Sequence, residues 1–157
     1  MQQMYLRQAT ENDLEKLSGW FSSKSEVKNW GGASIHLPLT LKQLKIDIEW
    51  NSAQSLALID NNDLIGFAQF FDKFGFKHLG RIVVSPEMRG KRIGYTLMAA
   101  LLDFAGTPEI NFSLFVYEDN IPAKKLYESI GFKIRAYPEG EQESKERLFM
   151  VKEINYA

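Results

Sequence analysis

The chain has 157 residues, of which 45% are hydrophobic and 25% charged, enough for a full hydrophobic core in a soluble globular domain. A formal net charge of -1 and a pI near 6.1 argue against a nucleic-acid binder, whose surface is strongly basic. The absence of cysteine excludes disulfides, thiolate metal sites and a cysteine nucleophile, and the two histidines, His36 and His78, are too far apart in sequence to suggest a metal site.

Taken in order, Tyr5–Ala9 alternates as a short strand, and Thr10, with Asp13 three residues on, caps a helix carrying Leu14, Leu17, Trp20 and Phe21. From Ser22 to Pro38 no period survives; this segment, with Trp30 and His36, is either one wall of a cleft or a surface loop anchored by its tryptophan. Thr40 caps a second helix with Leu41, Leu44 and Ile48 on one side. Three strands follow, over 55–59, 64–71 and 78–84, joined by the turns Asp60–Asp63 and Asp72–Gly75 as an antiparallel meander. A helix with Ile93, Leu97, Leu101 and Phe104 on one stripe leads to a strand over 110–117, which the helical crossover makes parallel to 78–84. Asn120 heads a last helix with Pro122 in its first turn and Gly131 at its end, and strands over 132–137 and 147–154 close the chain around an exposed polar turn. The order β-α-α-β-β-β-α-β-α-β-β predicts a mixed α/β fold with about four helices flanking one sheet. With no membrane-length apolar run and no signal-peptide pattern at the N-terminus, the reading is a cytoplasmic single domain over residues 1–157, with no membrane or nucleic-acid partner.

The stretch Ile82–Met98 stands out. A buried strand passes through a basic turn with two glycines into a helix, leaving backbone N–H groups unpaired at the positive end of the helix dipole, a site suited to phosphate. Arg89, Lys91 and Arg92 add charge there.

The residues Arg89-Gly90-Lys91-Arg92-Ile93-Gly94, and later Asn120-Ile121-Pro122-Ala123-Lys124-Lys125-Leu126-Tyr127-Glu128-Ser129-Ile130-Gly131-Phe132, resemble the two motifs of the GNAT superfamily of N-acetyltransferases, Gln/Arg-x-x-Gly-x-Gly/Ala and Asn-x-x-Ala-x-x-Leu-Tyr-x-x-x-Gly-Phe. The resemblance implies a GNAT-like central sheet whose N-terminal strands are antiparallel and whose middle parallel pair splays apart. It also implies acetyl-coenzyme A as donor, without a metal, and a small-molecule or peptide amine as acceptor attacked directly in a ternary complex; a homodimer stays open. The alternative on the same fold is a non-catalytic acetyl-coenzyme A binding or sensing module. One position departs from the pattern: Arg92 stands where the family has its first glycine. In a helix's first turn arginine is tolerated and adds a cation, whereas a positive φ would strain it; Gly90 and Gly94 favour the former.

Carried onto this chain, the resemblance assigns the pyrophosphate to the amides from Gly90 to Tyr95, including Lys91, Ile93 and Gly94, with Arg89 and Arg92. The strand at Ile82 and Val84 pairs with the pantetheine arm, and Asn120 approaches it from the other side. Tyr127 is the expected general acid for the departing thiolate. His78 is a candidate general base, since strand alternation puts it on one face with Gly80, Ile82 and Val84 unless a bulge intervenes. The segment 27–39 and the turn 72–75 border the expected acceptor cleft, with Phe67, Phe70, Phe71 and Phe74 as candidate lining residues.

Overall fold

A computed structural model describes residues 4–154; residues 1–3, which the reading of the N-terminus included, and 155–157 lie outside it. The elements are β1 (Met4–Gln8), α1 (Glu11–Leu17), α2 (Lys24–Gly31), α3 (Leu41–Asp47), β2 (Gln54–Asp60), β3 (Asp63–Lys73), β4 (Phe76–Val84), α4 (Ile93–Ala105), β5 (Phe112–Tyr117), α5 (Ile121–Ile130), β6 (Lys133–Arg135) and β7 (Arg147–Lys152). They form one seven-stranded sheet in the order β1-β2-β3-β4-β5-β7-β6, antiparallel except for the β4–β5 pair. The mixed α/β class is as expected, with one more helix than the sequence indicates. That helix, α2, lies inside the stretch read as irregular; Ser23 caps it and only Val27 and Trp30 are buried, too few positions to show a period.

Each face of the sheet carries its own apolar layer. On one side α4 and α5 bury Leu97, Met98, Leu101 and Tyr127 against Leu58, Leu79 and Leu114. On the other, α1, α2 and α3 bury Leu14, Leu17, Trp30 and Ile48 against Ala57, Ile59 and Phe67. Side chains of this size stabilise by about 1.5–3 kcal/mol each when fully buried. Gly66 permits the close seating of α4, because a Cβ there would stand 3.2 Å from Leu97 Cδ2 and 3.3 Å from Leu58 Cβ. Among the described residues no helix is long and apolar enough to cross a membrane.

The pairing of β4 with β5 covers only Lys77–Leu79 against Phe112–Leu114, although β4 runs on to Val84 and β5 to Tyr117. The strands therefore splay, as expected for the fold. The register between β3 and β4 slips between Phe67 and Gln69, and Arg81 adopts a left-handed φ of +48°. This bulge overturns the expected alternation. Leu79, Ile82 and Val84 all face the α4–α5 layer, whereas His78 sits among Phe74, Phe115 and Phe149 on the opposite face. An inserted residue reverses side-chain parity beyond it.

Contacts from three elements hold the bulge. The Arg81 guanidinium donates to the carbonyls of Asp47 (3.3 Å) and Ile48 (3.4 Å), at the negative end of α3, and to Gln69 Oε1 (3.0 Å). Gln69 is fully buried and donates in turn to the Ile48 carbonyl (3.0 Å) and Ser55 Oγ (2.9 Å). The Arg81 carbonyl accepts from Trp30 Nε1 at 2.9 Å, which ties α2 to the splay. Replacing Gln69 by methionine keeps the volume but leaves a partly buried guanidinium and a buried hydroxyl short of partners. Gln69→Met should lower unfolding free energy by about 2–3 kcal/mol, measured as an earlier urea midpoint at unchanged slope; an unchanged midpoint would mean that the network does not hold the bulge.

Candidate active site

Beyond the bulge, β4 delivers Ile82 and Val84 to a groove, and the chain passes through a 3₁₀ turn at Pro86–Met88 to Gly90, whose φ is +78°. Arg92 occupies the N-cap of α4 with φ +62° and ψ +22°. The expectation of a plain first-turn arginine is thereby corrected: the position is left-handed, at a cost of about 1–2 kcal/mol for a residue bearing a Cβ. No side chain caps α4, and the first intrahelical bond is Thr96 N–H to the Arg92 carbonyl at 3.2 Å, so the N–H groups of Ile93, Gly94 and Tyr95 lack helical acceptors. Arg92 lies over the Tyr95 ring, 5.7 Å from its centroid.

A groove of about 530 Å³ runs along this helix start, past Gly90, Arg92, Ile93 and Tyr95. It shares Val84, Arg89, Gly94, Pro122 and Leu126 with a second groove of about 380 Å³ that leads on to Ile82, Trp30, Asn120 and Tyr127. A Cβ on Gly94 would approach Leu126 Cδ2 to 3.2 Å, so glycine keeps α4 and α5 close here. Arg89 reaches the Val84 carbonyl (3.4 Å) and pairs with Glu26 of α2 (3.3 Å). The Ser22 hydroxyl, with Arg89 helping, holds the Glu26 carboxyl below its usual range. Of the residues expected at the cofactor, only Lys91 lines neither groove; it is exposed on the turn.

Asn120 sits at the N-cap of α5 but makes no capping hydrogen bond, which leaves its amide to face the groove. Tyr127, two turns further along, is 7% exposed, and burial pushes its phenol well above the ordinary range. It therefore stays protonated at neutral pH, the state that donates.

On the other face of the sheet lies a smaller cavity of about 180 Å³, between the splayed strands and the end of α2. Phe71, Trp30 and Phe115 are among its walls, while Phe67 and Phe70 belong to the core and Phe74 packs edge-on against His78 at 5.3 Å. The end of α2 and, through Lys73, the 72–75 turn border this cavity. His78 lines it, 7% exposed, with Nδ1 2.8 Å from Ser113 Oγ. Desolvation, with Lys73, Arg147 and Arg81 nearby, lowers its pKa to about 3.

Arg147 and Glu141 are among the lining residues that were not anticipated. Arg147 stacks over Phe115, 3.8 Å from the ring centroid, and pairs with Glu141 at 3.1 Å; Asn29 borders this cavity and the Tyr127 groove alike. Arg147 and Glu141 flank an ordinary polar turn in the sequence, and only the pairing of β5 with β7, with Tyr117 opposite Arg147, brings them here. Among the described residues no three His, Asp or Glu side chains gather as a metal site.

A family model described as the acetyltransferase (GNAT) family matches residues 21–132. Solved structures similar to this chain include PH1933 from Pyrococcus horikoshii OT3, with a TM-score of 0.73 and 20% identity over 98% of this chain and 100% of that one. A Thermoplasma acidophilum PaiA N-acetyltransferase in complex with coenzyme A gives 0.71 and 21%, covering 97% and 99% of the two chains. A Vibrio cholerae spermidine N-acetyltransferase in complex with CoA and spermine gives 0.70 and 21%, covering 96% of each. At these identities the likeness is one of fold.

The buried histidine has a consequence for stability. Unfolded, His78 takes up a proton near pH 6.5; folded, it stays neutral down to about 3. The unfolded state binds more protons within that window, so stability falls as pH drops through it, by about 2 kcal/mol between pH 7.5 and 5 from this group. Guanidinium denaturation at the two pH values should show the wild type losing that much more than His78→Phe; equal losses would contradict the assignment.

Proposed function

The chain belongs to the acetyltransferase (GNAT) family, and from that premise we propose that it transfers an acetyl group from acetyl-coenzyme A to a primary amine by direct attack in a ternary complex. The observation that carries this reading is one continuous groove, with an uncapped helix start at one end and a buried, protonated phenol at the other.

The unpaired N–H groups of α4 and the cations Arg89 and Arg92 suit a pyrophosphate, whose charge opposes the helix dipole. Lys91, exposed on the same turn, adds to the local positive potential. The β4 edge beyond the bulge, at Ile82 and Val84, offers backbone groups to an extended amide-bearing arm, and the free Asn120 amide meets it from α5. Both solved acetyltransferases named above that contain coenzyme A share this fold, which supports the same donor here.

In the transfer, the deprotonated amine forms the C–N bond with the acetyl carbonyl carbon, and the C–S bond breaks with its electron pair on sulfur. The nitrogen sheds one proton as the amide forms. Tyr127 supplies one to the sulfur and recovers it from solvent. A phenol raised above its normal pKa is a weak acid that keeps its proton at neutral pH, so it donates only as negative charge develops on the departing sulfur. The acceptor ammonium, with a reference pKa of about 10.4, must first be neutralised. His78 is a weak base at a pKa of about 3 and lies on the face away from Ile82 and Val84. We therefore assign it to the cavity wall and the first deprotonation to water.

Calorimetric titration with coenzyme A should give a micromolar-range affinity that Tyr127→Phe leaves unchanged, while the variant turns over about 100-fold more slowly. Absence of coenzyme A binding would overturn the reading, and undiminished turnover would remove Tyr127 as the acid.

A further inference from the structure

The amine acceptor's chemistry can be narrowed from the charges of the 180 Å³ cavity, on the premise that this cavity receives it. Its volume is well below that of typical drug-sized sites, so the acceptor is small. The charged groups on its walls are three cations, Lys73, Arg81 and Arg147, against two carboxylates, Glu49 and Glu141. Both carboxylates are already engaged: Glu141 with Arg147 at 3.1 Å, and Glu49 with Arg81 at 3.9 Å. His78 is neutral and brings no negative charge. Lys73 has no ion-pair partner among the described residues; its ammonium lies 5.0 Å from the Phe74 ring.

A polycationic acceptor needs the reverse balance, with uncommitted carboxylates awaiting its far ammonium groups. The larger neighbouring cleft of about 550 Å³, reached past Asn29 and Tyr117, carries no net negative charge to attract them. Its lysines 24, 28 and 145 offset Glu118, Asp119 and Glu146, and Lys28 and Glu146 pair at 3.2 Å. The excess positive charge also has a place. Lys73, opposite Phe76 at the end of β3, lies toward the closed end of the splay, where β4 and β5 still pair, and the Arg147 guanidinium reaches in over Phe115.

We infer that the acceptor is a small primary amine whose far end carries a carboxylate, which Lys73 and Arg147 receive while the amine points up the splay. The aromatic walls, Phe71 and Phe115, suit an apolar stretch between the two ends. A carboxylate adds what the cavity lacks, an anion for the unpaired ammonium, whereas an ammonium at the same place meets like charge.

The inference rests on the acetyltransferase reading, and three probes of equal chain length isolate it: pentylamine, 5-aminopentanoate and cadaverine, whose far ends are neutral, anionic and cationic. With acetyl-coenzyme A and thiol release as the readout, kcat/KM should be about tenfold higher for 5-aminopentanoate than for pentylamine, and lowest for cadaverine. Because Lys73 is exposed, Lys73→Glu will fold; it should reverse the order of 5-aminopentanoate and cadaverine without changing KM for acetyl-coenzyme A. Cadaverine matching or exceeding 5-aminopentanoate in the wild type, no thiol release with 5-aminopentanoate, or an unaltered order in Lys73→Glu would each overturn the inference. Cadaverine turning over as fast as 5-aminopentanoate or faster would do so while upholding the acetyltransferase reading, which the coenzyme A titration tests separately.

Discussion

One residue, Arg81, divides the molecule into the two chambers on which any function of it depends. Its left-handed backbone interrupts the pairing of β4 with β3, which resumes in a shifted register at Val83, and its guanidinium closes on the C-terminal carbonyls of α3 and on Gln69. The conformation costs about 1–2 kcal/mol for a residue with a Cβ, and hydrogen bonds to a charged group, each worth about 1.5–3 kcal/mol, more than offset it. From that one bulge follow the splay of β4 from β5, the turn of Ile82 and Val84 toward α5, and the exile of His78 to the opposite face. Trp30, bonded to the Arg81 carbonyl, makes α2 the partition, since its end borders both chambers.

Burial sets the proton chemistry of both chambers, and in opposite senses. A phenol in the apolar groove resists ionising and keeps its proton; an imidazole in the aromatic cavity resists charging and does without one. The two chambers therefore hold a donor for a leaving group and no strong side-chain base. That asymmetry fits a reaction whose limiting demand is expelling a basic sulfur, provided that the amine arrives neutral or loses its proton to water.

Features written in local chemistry were legible in the sequence. The glycine turn before α4, the Asn120–Phe132 helix and the meander of β2 to β4 each rest on neighbouring residues, and each is found where expected. What escaped depended on distant partners. The bulge is held by Gln69 and by carbonyls more than thirty residues from Arg81, so strand alternation alone put His78 on the wrong face. Helix α2 buries only Val27 and Trp30, and its tryptophan is fixed by a carbonyl 51 residues away. The left-handed Arg92 was visible as a departure from the family pattern, but the sequence could not tell a tolerated first-turn residue from a strained cap. Arg147 and Glu141 reach the smaller cavity only because β7 pairs between β5 and β6.

On this proposal the helix start of α4, the free edge of β4 and the head of α5 form one ligand groove. Backbone amide NMR during titration with coenzyme A tests it most directly. The amides of Ile93, Gly94 and Tyr95 should shift most, together with those of Ile82 to Val84 and Asn120, while residues around His78 and Phe149 stay nearly still. Shifts confined to the 180 Å³ cavity, or spread without preference for α4, would contradict it.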